Sequence, residues 1–259
     1  MKFFIKNKKN NLVITNSLYE ANDVYNRLLN YTNKVLFFPM DDFITSEVTD
    51  ISPEFVIDRL TTLNKLLGSG KYIVVTNLMG ILRYLPNTKL YKNKIIDINK
   101  DMDIDRDDFI NKLFDLGYEK KPVVSRTGEM AIRGYVIDIF PIEFDNPIRI
   151  EFWGDTIDSI KYFDLEDQIS NTSIDSVKIY PYTEFLIDGK IGDNIIRKQK
   201  YLLNYSDSVS GLWDYVSDSV IFYYDYNQII NSYSLLRDNI LEYDSELDDD
   251  IKTNYMWDI

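Results

Sequence analysis

Residues 126 to 164 alternate between apolar and polar side chains, with short turns between the runs. The first run reads Arg-Thr-Gly-Glu-Met-Ala-Ile-Arg-Gly-Tyr-Val-Ile-Asp-Ile-Phe-Pro, from Arg126 to Pro141. The second, Pro-Ile-Arg-Ile-Glu-Phe-Trp-Gly-Asp-Thr-Ile-Asp-Ser-Ile-Lys-Tyr-Phe-Asp, spans Pro147 to Asp164. Successive side chains of a strand point to opposite faces. This pattern therefore predicts an antiparallel sheet with one face on a core and the other in water. Carried straight along the first run, it places Met130, Ile132, Val136 and Phe140 on one face and Ala131, Arg133, Tyr135 and Ile137 on the other.

The flanking segments follow a different rhythm. Apolar runs at Asn11–Thr15, Val35–Phe38 and Tyr72–Thr76 alternate with helical spacing. Leu18, Ala21, Tyr25 and Leu28 form one stripe behind a capping Ser17. Ile57, Leu60, Leu63, Leu66 and Leu67 form another, with Ser52 as N-cap and Pro53 at the first helical position. Strands and helices in this order predict a parallel sheet covered by helices. Ile95–Ile98 reads as short and extended. Asp105–Leu116 reads as a helix with its acidic residues early, matching the helix dipole. Lys190–Asn204 is expected to be helical. Ser219–Tyr224 reads as a strand able to return to the first sheet, followed by a helix around 228–243 and an acidic end. The fold class is α/β with an inserted α+β domain, divided as 1–92, 93–182 and 183–259.

Composition narrows the chemistry. The 259 residues include no cysteine and no histidine. Thiolate nucleophiles, zinc–thiolate sites, imidazole bases and Ser-His-Asp arrangements are excluded. The formal net charge of −13 repels phosphate, so weak or no direct DNA binding is expected. No apolar run reaches the ~18 residues of a membrane span. The segment from Met1 to Lys9 lacks the apolar centre of a secretory signal, which makes a cytoplasmic protein the expectation.

The order Arg133-Gly134, an apolar triplet around Asp138, then Phe140-Pro141, followed by Ile148–Phe152 and Tyr162–Asp164, resembles one family closely. It is similar to the small inserted domain of the UvrB-like module. That module is shared by the excinuclease subunit UvrB and the N-terminal part of bacterial transcription-repair coupling factors. Ser52–Glu54, Arg59-Leu60, Leu63-Asn64 and Leu82–Pro86 also follow the coupling-factor pattern, and Phe38–Phe43 fits its short acidic loop. Ile221–Ile229 is a weaker echo, departing at Tyr226 and Gln228. The resemblance implies a degenerate nucleotide-binding-type (RecA/helicase-like) parallel sheet carrying the inserted sheet domain. Its only near match to a phosphate-binding loop is Gly68-Ser-Gly-Lys71, with Lys65 at the first glycine position, Tyr72 for the hydroxyl residue, and a helix-to-strand order. A helix stop explains it. The loop after Phe43 is too short for the DNA-clamping hairpin of UvrB.

In this family the exposed face of the inserted sheet docks UvrA, and the resemblance assigns that role to Arg133. Lys120 stands thirteen positions earlier, where UvrB-like proteins place another basic contact; Lys121 is its alternate. Arg126 and Glu129 lie in the approach to the strand, and Ala131 stands where UvrB has a further arginine. Tyr135 serves either as a hot-spot neighbour of Arg133 or as a cross-strand packing residue. Asp155, Asp158 and Asp164 could suggest acid–base or metal chemistry, but Asp155 reads as a hairpin-turn residue and Asp164 as a strand terminus, which favours a structural role for the set. The implied function is a non-catalytic module that recruits UvrA to stalled transcription, without cofactors, and packs against downstream motor domains. The alternatives are a UvrB-type ATP-dependent subunit and a purely structural domain. The chain is expected neither to bind nor to hydrolyse ATP. Isothermal titration should give no saturable magnesium-dependent signal, whereas micromolar affinity, about −8 kcal/mol, would require organised phosphate ligands and overturn the reading.

Overall fold

The structure, a computed structural model, describes residues 9–41, 52–189, 202–206, 208–246 and 256–258. The chain divides into two compact units, Met1–Thr88 with Asp193–Ile259, and Lys89–Gly192. In chain order the first stretch comprises β1 (Asn10–Thr15), α1 (Leu18–Leu29), β2 (Val35–Phe38), α2 (Pro53–Leu66), β3 (Ile73–Asn77), α3 (Leu78–Leu82), β4 (Leu85–Pro86) and α4 (Thr88–Lys94). Ser17 opens α1 through a capping box. Its hydroxyl accepts the Glu20 N–H at 3.3 Å, while the Glu20 carboxylate accepts the N–H of Asn16 at 3.0 Å and of Ser17 at 3.3 Å. α2 begins with Pro53 at its first position, but the Ser52 hydroxyl donates to the Glu54 carboxylate instead of capping the backbone. The charged Glu54 carboxylate, two residues on in the same first turn, is the acceptor of that hydroxyl's hydrogen bond.

The second unit contains β5 (Ile96–Asn99), α5 (Arg106–Asp115), β6 (Glu119–Lys120), β7 (Glu129–Arg133), β8 (Val136–Ile139), β9 (Ile148–Trp153), β10 (Thr156–Phe163), β11 (Ser170–Ile174) and β12 (Ser176–Ile179). The sheet runs β11-β10-β9-β8-β7-β6. All its neighbours are antiparallel except β6 and β7, a parallel edge the alternation did not foretell. β5 and β12 pair antiparallel as a separate ribbon.

The chain returns through α6 (Leu202–Tyr205), β13 (Val209–Ser210), α7 (Leu212–Tyr215), β14 (Ser219–Tyr223) and α8 (Tyr226–Glu246). β14 pairs in parallel with β1 and completes the sheet β14-β1-β3-β2, the return that the sequence left open for Ser219–Tyr224. The helix expected over Lys190–Asn204 lies outside the described residues up to Leu202, where α6 begins. Val13, Ala21, Leu28, Val35, Phe37, Ile73 and Val75 form a core on the parallel sheet, with Tyr25 stacked on Phe37 at 4.7 Å. On α2, Leu60 and Leu63 are fully buried. The buried Arg59 donates to the Pro39 carbonyl at 3.0 Å, and the buried Thr62 donates to the Phe37 carbonyl at 2.7 Å. These two polar groups tie α2 to the end of β2.

The six-stranded sheet corrects the straight alternation. Arg133 pairs with Val136, so Gly134 and Tyr135 form a two-residue turn. Such a turn pairs an odd position with an even one, and face parity changes across it. Met130, Ile132, Ile137 and Ile139 share one face; Ala131, Arg133, Val136 and Asp138 share the other. Ile137 therefore leaves Arg133's face, Val136 joins it, and Tyr135 sits at the hairpin tip. The apolar face continues through Ile148, Ile150, Phe152, Ile157 and Ile160 and meets α5, where Phe109 lies 6.0 Å from Phe152. Burying such side chains contributes about 1.5–3 kcal/mol each, which anchors the sheet on that side.

Two glycines test this geometry. Gly128 has φ +89°, and a Cβ there would fall 2.1 Å from the Tyr182 ring; Gly154, in the β9–β10 turn, has φ +63° and open space around it. Gly128→Ala should cost about 3 kcal/mol or more, backbone strain plus overpacking, and Gly154→Ala about 1–2 kcal/mol, backbone strain alone. Urea unfolding of both variants checks this; equal losses would show that Tyr182 moves aside freely.

Candidate functional site

The Arg133 face of the sheet is built around one carboxylate. Asp138 on β8 has no solvent exposure. Arg149, its cross-strand partner on β9, grips it with two parallel hydrogen bonds, Nε to Oδ1 at 2.7 Å and Nη2 to Oδ2 at 3.0 Å. Arg133 on β7 adds a third, Nη2 to Oδ2 at 2.6 Å. A buried carboxylate needs this much compensation, because its charge is otherwise strongly disfavoured away from water.

Arg149 is fixed on every side. Its Nη1 donates to the Gln168 carbonyl at 3.2 Å and to the Ser170 hydroxyl at 3.4 Å. Its guanidinium lies 4.8 Å from the centre of the Phe163 ring, a cation–π contact. Phe163 belongs to a small apolar cluster with Val124, Ala131 and Phe140 on this same face. Gln168 adopts φ +62°, unfavourable for a residue with a Cβ, and is held there by hydrogen bonds to the carbonyls of Asp164 and Leu165. The loop therefore accepts strain in the conformation that aims its carbonyl at Arg149. Hydrogen bonds to Asp138 raise the Arg149 pKa further, against burial, so the group is permanently cationic.

Arg133 differs. Its side chain is 48% exposed and its one partner among the described residues is Asp138. Beside this triad, Glu151 accepts from Lys161 at 2.7 Å and from Ser159; the Lys161 and Ser159 hydrogen bonds hold its carboxyl below the usual range, against burial. The centre of this face thus sets Arg133, Arg149 and Lys161 against Asp138 and Glu151, while Glu129 and Glu119 lie toward its β6 edge. At its hairpin end stand two exposed aromatics, Trp153 at 83% and Tyr135 at 64%. The Tyr135 carbonyl accepts the Phe152 N–H at 2.8 Å, which brings the two tips together.

The other residues singled out in the sequence are placed unevenly. Lys120 pairs with Met130, which puts it on the opposite side of the sheet from Arg133; it is exposed and has no side-chain partner among the described residues. Two-residue β6 runs parallel to β7, so the register decides the side. Lys121 is salt-bridged to Glu119 at 3.0 Å, and Glu119 shares the Glu129 face. Glu129 is buried, and its carboxylate is spent on the turn before β7. It accepts the Ser125 N–H and hydroxyl, both at 2.8 Å, and the Arg126 Nε at 3.2 Å. Asp155 occupies the β9–β10 turn, and the Asp164 carboxylate accepts the N–H groups of Glu166 and Asp167, as turn chemistry predicts. Sequence reasoning missed Asp138, Arg149 and Trp153 as site residues. The signal was an acid inside the apolar run Val136–Phe140, which demands a cation on a neighbouring strand.

Residues 96–185 match the family of the UvrB interaction domain. The transcription-repair-coupling factor of Staphylococcus haemolyticus is 36% identical over 186 residues, 71% of this chain and 16% of that protein. The namesake proteins of Staphylococcus epidermidis and Staphylococcus aureus are 33% and 35% identical over 78% and 70% of the chain, and 18% and 16% of their own lengths. The chain thus spans less than a fifth of these relatives.

Glu129 yields a pH prediction. Burial works against its charge, but the Ser125 and Arg126 hydrogen bonds and the Arg126 charge win and hold the carboxyl below its ordinary value. Its folded-state pKa is depressed, so its contribution to stability is complete above the unfolded value of about 4.3 and is lost as pH falls through the folded one. Urea midpoints should therefore fall more steeply with acidification in the parent than in Glu129→Gln. Parallel pH profiles would contradict this.

Proposed function

We propose that the chain, which matches the UvrB interaction domain over residues 96–185 and is 33–36% identical to transcription-repair-coupling factors over 71–78% of its length, is a non-catalytic docking module that recruits UvrA to stalled transcription in nucleotide excision repair. The observation that carries this reading is the polar sheet face of the matched unit. Its apolar side is consumed by the core, while its polar side presents a half-exposed Arg133 beside exposed Tyr135 and Trp153. Arginine and aromatics on a desolvatable surface are the usual anchors of protein–protein contact. A planar guanidinium also suits a carboxylate on the partner.

In this reading residues 93–182 form the domain inserted into a nucleotide-binding-type scaffold that has lost its phosphate loop. The turn from β1 to α1, where such a loop would lie, is the glycine-free Asn16-Ser17. Gly68 and Gly70 instead follow the end of α2. The partner-facing set is Arg133 and Tyr135 with Arg126 at the margin, and Lys121 replaces Lys120 as the cation on the Glu129 side of the sheet.

Arg133→Ala should weaken binding to UvrA at least tenfold, about 1.4 kcal/mol, with little change in melting temperature, because Asp138 keeps the bidentate Arg149. Arg133→Lys should rescue only part of the loss, since a point charge cannot reproduce the fork. The measurement is titration of cognate UvrA into each variant. Parent-like affinity of Arg133→Ala would remove this face as the docking surface.

A further inference from the structure

The geometry assigns Arg149 and Asp138 a positioning role: together they hold the Arg133 guanidinium in a fixed attitude, with its remaining donors turned to solvent, ready for an anionic group of the docking partner. This rests on the docking reading above and adds residues that do not themselves touch the partner.

The argument begins with hydrogen-bond capacity. Arg149 directs Nε and Nη2 to Asp138 and Nη1 to Gln168 and Ser170, and its flat side meets Phe163. It is only 17% exposed and has little left to offer a partner. Asp138 has no exposure at all. Arg133 binds the same carboxylate through Nη2 alone and keeps its other donors. Of the two arginines it is the one open to a ligand, and it is held through an anion that Arg149 has already fixed. A free surface arginine loses rotamer freedom when it docks; one already tethered loses less. The cation excess of the triad also leaves one positive charge for a partner carboxylate to neutralise.

Arg149→Lys keeps the charge and removes the fork, so it isolates geometry from Coulomb attraction. It should weaken UvrA binding about five- to tenfold in the parent, the scale of immobilising one long side chain. In the Arg133→Ala background the same change should alter affinity less than about twofold, because the group it positions is gone. Asp138→Asn provides a second route should Arg149→Lys fold poorly. It retains an oxygen acceptor of the same shape but loses the charge that holds Arg133. Positioning predicts weaker binding for Asp138→Asn; if Asp138 merely competed with the partner for Arg133, binding would strengthen. Titration calorimetry of the parent, the three single variants and Arg133→Ala/Arg149→Lys, each with a thermal melt, decides the matter. Parent-like affinity for Arg149→Lys, equal losses in both backgrounds, or tighter binding by Asp138→Asn would each overturn the positioning role. Parent-like binding by Arg133→Ala would instead overturn the docking reading beneath it.

Discussion

An ionised carboxylate with no access to water must be neutralised where it stands, and the polar face of the six-stranded sheet is organised by that demand. Asp138 recruits Arg149 from β9 and Arg133 from β7. Arg149 in turn draws in the Gln168 carbonyl, the β11 hydroxyl of Ser170 and the Phe163 ring. One charge thus couples five strands and the loop between β10 and β11. Removing Arg149 would leave the buried Asp138 with the single hydrogen bond from Arg133, and breaking a buried ion pair in this way costs up to about 3–5 kcal/mol. Replacing the network with apolar side chains need not destabilise the sheet, but it would erase the distinction between its faces. The ionic face therefore specifies more than it stabilises.

The opposite face works by burial alone. Ile137, Ile139, Ile148, Ile150, Ile157 and Ile160 are almost wholly inaccessible and pack toward Phe109 and Leu113 of α5. β-branched side chains favour the pleated conformation and fill it with few rotamers to lose. A face so committed to the core cannot dock a partner, so recognition is left to the ionic side and the hairpin tips. The parallel sheet of the other unit divides its surfaces differently. α1 covers one side, α2 is bolted to the end of β2 by Arg59 and Thr62, and β14 stands at the edge with Ile221 and Tyr223 exposed.

Much of this was legible in the residues. The three apolar runs became β1, β2 and β3 within a residue or so of their expected limits, and Ser17 capped α1, because buried strands and capping boxes are local signals. The β-branched and aromatic run at Ser219–Tyr224 marked a strand that could return to the first sheet, though nothing local named β1 as its neighbour. Face assignment across the Gly134-Tyr135 turn failed, because a period-two count ignores the parity change that a two-residue hairpin imposes. The side taken by Lys120 was not legible for a related reason: β6 is a parallel edge strand whose register is set by long-range pairing with β7. Arg149 escaped notice because nothing local distinguishes a networked arginine from a solvated one. Its partner lies on another strand, eleven residues away.

Trp153 has a consequence for how such a molecule can be followed. Its indole is almost fully hydrated at the tip of the β9–β10 hairpin. The chain's other two tryptophans, Trp213 and Trp257, belong to the other unit and lie against each other with ring centres 5.4 Å apart. Nature has thus left one isolated chromophore on the ionic face of the sheet and a self-contained pair elsewhere. Collisional quenchers dissolved in the buffer reach the first directly, so light emitted from that one ring reports on the water at that face.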